Sequence, residues 1–380
     1  MAGFDQDQND VELDHPQQGP EIPEGNDPVT ELSKKGYNYL KEGVLAEAQA
    51  AFLELLELEP KNNYALVGLG DVSRKRGEFE KATAYYQECL RQHPSNNYAL
   101  FGLADSYKAL GLYHRALEIW EEYLKQDPDN ITVLTRVADA YRKVRNFALS
   151  KETYLNVLDR EPGNAYALIG LGHLYYDFKD YREALKSWEK MYARNPEGAD
   201  IRVLTSLGNC HRKLKSYAEG IPYFEKVLAN HPDNFYALFG LADCYRGMNR
   251  SLESLDYWNR ILDFDPNNKV ILTRAGDALR SLERYNEAEV SYRKALNIEF
   301  DLYAVLGLAL VHKARREFPE AIQSLRGILQ NDANNPRIYQ EMAECYLELR
   351  QKDEAVRILS AFQRRGIKNS QINEMMNRLR

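Results

Sequence analysis

Seven prolines on a 34-residue beat, apolar residues at helical spacing between them, and turn residues at fixed places predict an all-α solenoid. Pro60, Pro94, Pro128, Pro162 and Pro196 stand 34 residues apart, and Pro232 and Pro266 continue the series after one two-residue slip. A fixed period of that size marks stacked copies of one helical unit. Such a stack has no buried pocket by construction. It offers a long side-chain-lined surface, where function is to be sought.

The elements follow in order. Residues 1–28 carry eight acidic residues, no Lys or Arg, and Pro16, Pro20, Pro23 and Pro28. This composition reads as a disordered acidic tail. The whole chain has a formal charge of −7, so the −8 of this segment leaves residues 29–380 near neutral, at about +1.

Residues 97–130 show what one unit contains. Leu100, Leu103, Ala104, Tyr107 and Leu110 recur at helical spacing and give a first helix one apolar face. Gly111 tolerates φ > 0 where that helix must stop. A second helix follows, with Ala116, Leu117, Trp120, Tyr123 and Leu124 on its buried side. Pro128 ends it, because proline cannot continue the hydrogen-bond ladder and disfavours helix just before itself. Helices of about twelve residues are marginal alone in water, so each pair needs neighbours.

This unit resembles the tetratricopeptide repeat (TPR). Counting the first residue of a unit as position 1, that pattern has an apolar residue at 4, small or apolar residues at 7 and 8, an aromatic at 11, Ala at 20, an aromatic at 24, a small or apolar residue at 27 and Pro at 32. The third unit places Leu100, Leu103, Ala104, Tyr107, Ala116, Trp120, Tyr123 and Pro128 there. The second places Leu66, Leu69, Gly70, Ser73, Ala82, Tyr86, Cys89 and Pro94, and the fifth Leu168, Leu171, Gly172, Tyr175, Ala184, Trp188, Met191 and Pro196. Ten such units begin near residues 29, 63, 97, 131, 165, 201, 235, 269, 302 and 336 and fill 29–367. The resemblance implies a right-handed superhelix. Ser150, Gly220 and Ser254 depart from the pattern at position 20, and Phe300 and Ala333 at position 32, where helix ends are expected to run on or bend differently.

A second period lies on the first. Tyr64-Ala-Leu, Tyr98-Ala-Leu, Tyr166-Ala-Leu, Tyr236-Ala-Leu and Tyr303-Ala-Val open five units, whereas Val133-Leu-Thr, Val203-Leu-Thr and Ile271-Leu-Thr lie in those between. Trp120, Trp188 and Trp258 all fall at position 24 of alternate units. The building block is therefore expected to be a pair. After the last unit, residues 368–380 form a helix capped by Asn369 or Ser370, with Ile372, Met375, Met376 and Leu379 as an apolar stripe. It is expected to cover the open end of the stack; docking a partner is the other reading.

The near-neutral array has no basic footprint for nucleic acid. No apolar run of about 18 residues is present to span a membrane, and the N-terminus lacks the regions of a signal peptide. A soluble cytoplasmic protein is the expectation. Cys89, Cys210, Cys244 and Cys345 show no metal spacing and read as buried thiols. The seven histidines are scattered, and no HExxH, GxxxxGK[ST] or local nucleophile pattern occurs. No catalytic, cofactor or metal residue is assigned, and the chain is not expected to be an enzyme.

The resemblance implies that first helices line the concave face through positions 2, 5, 6, 9, 12 and 13. Position 9 reads Asp71, Asp105, Asp139, His173, Asn209, Asp243 and Asp277. Position 12 reads Arg74, Lys108, Arg142, Tyr176, Arg212, Arg246, Arg280 and Lys313. Tyr98, Tyr166 and Tyr236 stand at position 2 with Arg202, and Arg136 and Arg274 stand at position 6. Stacked, these make a stripe of cations beside a stripe of carboxylates, edged with phenols. Guanidinium groups bind carboxylates and carbonyls, and tyrosines pack side chains at small entropic cost. The charges can equally pair with each other along or between helices. Gly68, Gly102, Gly170, Gly240 and Gly307 at position 6 leave room for a ligand backbone or for a neighbouring element. The carboxylate clamp known in this family needs Lys at position 5, which is absent here.

These readings converge on a protein-interaction scaffold that holds an extended peptide or a helix of a partner protein in its groove. The alternatives are self-assembly through the solenoid ends as a homodimer, closure of the groove by the acidic tail, or service as a recruiting subunit of an enzyme complex.

Overall fold

A computed structural model describes residues 20, 25, 27–330 and 332–379, so the expectation for the acidic segment lies almost wholly outside the described residues. Asp27 and Pro28, read above as its last residues, instead start the first helix: Pro28 opens it, and the Asp27 side chain accepts from the Thr30 backbone N–H. Among the described residues the chain is all-helical, with twenty-one helices. They are α1 (Pro28–Glu42), α2 (Leu45–Leu58), α3 (Asn63–Lys75), α4 (Phe79–Gln92), α5 (Asn97–Ala109), α6 (Tyr113–Gln126) and α7 (Ile131–Lys143). There follow α8 (Phe147–Arg160), α9 (Ala165–Asp177), α10 (Tyr181–Tyr192), α11 (Ile201–Lys213), α12 (Tyr217–Asn230), α13 (Phe235–Gly247) and α14 (Ser251–Phe264). The last are α15 (Lys269–Ser281), α16 (Tyr285–Ile298), α17 (Leu302–Ala314), α18 (Phe318–Leu329), α19 (Pro336–Glu348), α20 (Lys352–Gln363) and α21 (Ser370–Leu379).

The chain divides into two compact units, one up to Val203 and one from Leu204. The division falls inside α11, just after the 193–200 connection that carries the two-residue slip. In each unit, helices follow one another as packed pairs, the architecture of a helical solenoid. Successive first helices also touch, α1 with α3, α3 with α5 and α7 with α9 in the N-terminal unit, and α15 with α17 in the C-terminal one. Successive second helices approach each other less closely. The first-helix side is therefore the tighter, inner side of each stack.

Local chemistry sets the boundaries. Asn62, Asn96, Asn130, Asn164, Asn234 and Asn268 each precede a first helix and accept a hydrogen bond from the N–H three residues on. A cap of this kind is worth about 1 kcal/mol. Position 15 lies in the left-handed region in every pair. Gly43, Gly77 and Gly111 fill it in the first three pairs, and Arg145, Lys179, Lys215, Asn249, Glu283, Arg316 and Arg350 in the rest. Ser150 and Ser254, the departures at position 20, donate to the carbonyls of Ala138 and Ala242, so each hydroxyl is satisfied inside the core. Where Pro is missing, the helices do not run on: α16 still stops at Ile298, with Glu299 in extended backbone, and α18 stops at Leu329. Asn369 caps α21, whose Ile372 and Met376 are buried in the core of the last pairs.

The glycines resolve the second period. The position-24 aromatic of one pair lies between position 8 of its own first helix and position 6 of the next. A Cβ at Gly208 would sit 2.6 Å from the Phe224 ring, and one at Gly240 closer still. The same holds for Gly36 and Gly68 around Phe52, Gly70 and Gly102 around Tyr86, and Gly276 and Gly307 around Tyr292. Position-6 glycine thus makes room for the preceding pair's ring, not for a ligand backbone. Where position 24 is Trp120, Trp188 or Trp258, the next position 6 holds Arg136, Ser206 or Arg274 instead.

Candidate functional site

The charged positions stand on the inner, first-helix side because from α3 onward the first helices bury positions 7 and 8, and most bury 4 and 11, which turns 9 and 12 along the seam between helices. Three residues apart, these positions share one helix face. In each unit the structure brings most of them together as a ribbon of ion pairs between first helices.

In the N-terminal unit the ribbon steps from repeat to repeat. Arg74 lies 3.7 Å from Asp71 of its own helix and 3.8 Å from Asp105 of the next. Lys108 reaches Asp139 of the next helix at 3.8 Å. Arg142 takes Asp139 at 2.8 Å and Asp177 of α9 at 2.7 Å. Arg136 at position 6 is 5% exposed, pairs with Asp105 at 2.8 Å and covers the Phe101 ring at 4.8 Å. The Tyr86 hydroxyl joins from beneath and donates to Asp71 at 2.7 Å. Tyr98 and Tyr166 mark the margin, and Arg202 folds back on Asp200 at 2.6 Å.

At the fifth repeat the pattern changes. His173 replaces Asp at position 9 and Tyr176 replaces the cation at 12. His173 stands edge-on to Trp188, and Tyr176 packs on Tyr181 and Trp188. Arg142 therefore turns to Asp177, four residues on from His173. Sequence reasoning missed Asp177; the signal was an acid one turn along, where position 9 had lost its own.

In the C-terminal unit Arg212 donates to Asn209 at 3.2 Å and pairs with Asp243 of the next repeat at 2.7 Å. Arg246 holds the same Asp243 at 2.7 Å. Arg280 approaches Asp277 of its own helix only at 4.0 Å, while the Tyr292 hydroxyl donates to that carboxylate at 2.8 Å. Lys313 is held by Glu341 at 2.6 Å and by Glu344, two further acids not singled out from sequence. Arg274 has no ion-pair or hydrogen-bond partner among the described residues. Tyr236 stands 42% exposed at the margin.

Burial raises the electrostatic stakes. Burial alone would raise the Asp139 carboxyl, but Arg142 and Lys108 hold it below the usual range, and Arg246 and Arg212 do the same for Asp243. Burial works against the Arg142 charge too, yet Asp139, Tyr154 and Asp177 keep it above its ordinary value. His173 goes the other way: burial, then the nearby Arg142, push it down to about 4, so the ring is neutral at physiological pH. Burial also pushes the Cys89 and Cys244 thiols up to about 12 and Cys345 to about 11, leaving no reactive thiolate there. Among the described residues, no three His, Cys, Asp or Glu side chains are grouped to hold a metal.

Family models agree with this architecture. A tetratricopeptide-repeat model matches residues 33–97, 136–203 and 205–269, more than half of the chain. The chain is a tetratricopeptide-repeat protein. A second model of that repeat matches 73–139 and 313–379, and a third 271–302, so this TPR protein carries the repeat along most of its length. No curated protein matches it in sequence. Among solved structures it is similar to PilW, a widely conserved type IV pilus biogenesis factor, with 15% identity over 56% of this chain and 98% of that one and a TM-score of 0.51. It also matches MamA, with 22% identity over 44% of this chain and 90% of that one and a TM-score of 0.40. A tetratricopeptide-repeat protein from Parabacteroides merdae ATCC 43184 gives 16% identity over 84% and 98%, with a TM-score of 0.36. PilW shares the fold; the other two likenesses carry no further argument. A TPR array of this kind is a scaffold for protein interaction. No helix among the described residues is long and apolar enough to cross a membrane.

Proposed function

We propose that this TPR protein is a non-catalytic adaptor that binds an extended segment or a helix of partner proteins along the first-helix faces. The observation that carries this reading is a set of phenols that packing leaves uncovered at one repeat position. Tyr166, Tyr236 and Tyr303, all at position 2, are 41%, 42% and 65% exposed. Aromatic side chains left open beside a polar ribbon are the usual makings of a contact surface, since they bring large area with few rotatable bonds. The ribbon supports the reading in a second way. Its paired charges brace neighbouring repeats, so the surface is pre-formed and little order is lost on binding. A reducing compartment such as the cytoplasm fits the four free, buried cysteines.

Affinity capture tests the proposal. Wild type and a variant carrying Tyr166→Ser, Tyr236→Ser and Tyr303→Ser would be compared for the proteins retained, after circular dichroism shows equal helix content. The variant should lose the partners that the wild type retains. Retention of the same set in the same amounts would overturn the groove reading.

A further inference from the structure

We propose that the first-helix face of α15, at Arg274 and Arg280, is a carboxylate-binding site that takes an acidic segment of a partner protein. This deepens the adaptor reading and rests on it. Equivalent positions in the two units are partnered differently.

Position-6 arginine occurs twice. Arg136 is consumed: it pairs with Asp105 and lies on Phe101. Around Arg274 both of the corresponding groups are taken by another residue. Asp243, the counterpart of Asp105, is held by Arg212 and Arg246, and Phe239, the counterpart of Phe101, has the Arg212 guanidinium over it at 5.9 Å. Arg274 is left half-buried with its charge uncompensated. Position-12 arginine on the same helix is short of partners too. Arg142 reaches a carboxylate of the next repeat, but Arg280 cannot, because position 9 of the next repeat is Leu310 and position 13 is Ala314. Asp301, at the head of α17, is engaged by its own Tyr303 and Ala304 N–H groups and by Thr273.

A guanidinium with free donors is a ready site for a carboxylate. Six residues of helix separate the two arginines by about 9 Å along the axis. Acidic residues three apart on an extended, polyproline-like segment are spaced about 9 Å as well. Asp277, between the two arginines, disfavours a concentrated dianion and leaves two separate single-charge sites. Exposed Val270 and Tyr303 flank the site and can pack the apolar parts of such a segment.

The test is fluorescence anisotropy on the full chain, with a labelled twelve-residue peptide of Glu-Ala-Pro triplets and its Gln-Ala-Pro counterpart. The acidic peptide should bind, and more weakly as salt rises from roughly 50 to roughly 300 mM. Arg274→Gln and Arg280→Gln should each weaken it at least about fivefold. Lys313→Gln, which removes a cation already held by two glutamates, should change it less than about twofold. Thermal melts confirm that each variant is folded; Arg274→Gln breaks no internal contact and so serves even if Arg280→Gln fails. Equal binding of both peptides, or unchanged binding by Arg274→Gln, would overturn the proposal. If natural partners are still lost in the tyrosine variant while the acidic peptide fails, only the carboxylate preference falls.

Discussion

The N-terminal and C-terminal units share one frame and spend their charges differently. Up to Val203, Arg74, Lys108 and Arg142 each reach an acid of the following repeat. From Leu204 onward, Arg212 and Lys313 make that step, while Arg246 and Arg280 find an acid only on their own helix. The packing beneath is unchanged: aromatic rings lie between paired glycines in both units. The lesson is that a repeat separates two jobs. Glycines at positions 6 and 8 with the ring at 24 hold the stack, and positions 9 and 12, with position 6 where it is arginine, are free to vary between bracing neighbours and meeting a ligand.

The sharpest way to break this comparison is to remove each position-6 arginine. Arg136→Ala takes the 2.8 Å partner from Asp105, leaves it only Arg74 at 3.8 Å and uncovers the Phe101 ring; breaking such a buried pair costs about 3 kcal/mol. Arg274→Ala strands nothing, so its effect should stay within about 0.5 kcal/mol. Denaturant melts of the two variants decide it. Equal destabilisation would mean that the two units hold their arginines alike.

A smaller effect separates the units by pH. His173 has a folded-state value of about 4, below the ordinary 6.5 of an unfolded histidine. Its unfolded form therefore binds a proton first as pH falls. Stability is fully present above about 6.5, drains as pH drops towards 4, and does not change further through this group below that. The loss should be on the order of 2 kcal/mol at pH 4.5. Asp139 and Asp243, whose folded values are depressed, add their losses only as pH falls through the carboxylate range below the unfolded value of about 3.9. Hydrogen exchange at pH 7 and 4.5 should show α7 and α9 loosening before α13 and α15. His173→Gln should erase that difference, and a difference that persists would assign acid sensitivity elsewhere.

Much of this was legible in the residues themselves. The proline beat and the apolar spacing mark out an all-helical chain of paired helices, because they act over a few residues. Partner choice was not legible. Asp105 is near both Arg74 and Arg136, and only the three-dimensional stack decides that Arg136 takes it at 2.8 Å. Position-6 glycine had two readings until the rings of Tyr86 and Phe224 were seen lying over it. The left-handed turns at Arg145 or Glu283 carried no glycine to announce them, since the short turn between paired helices imposes that backbone whatever side chain it bears.

The smallest prediction concerns the break at Asn209, where the second unit first departs from the aspartate series. Asp71 and Asp277 sit above tyrosines whose hydroxyls donate to them at 2.7 and 2.8 Å. Asn209 sits above Phe224, which has no donor to give. A carboxylate there would gain charge on Arg212 but lose one hydrogen bond relative to its counterparts, while remaining buried. Asn209→Asp alone should therefore change stability by less than about 1 kcal/mol, because pair gain and desolvation nearly cancel. Gly208 and Gly240 flank the Phe224 ring as Gly70 and Gly102 flank Tyr86, so Phe224→Tyr has a path for its hydroxyl. The double variant should be more stable than the sum of the singles by about 1 kcal/mol, read from a double-mutant cycle. Strict additivity would mean that the phenol beneath Asp71 is incidental, and that the alternation of Asp with Tyr and Asn with Phe has some other cause.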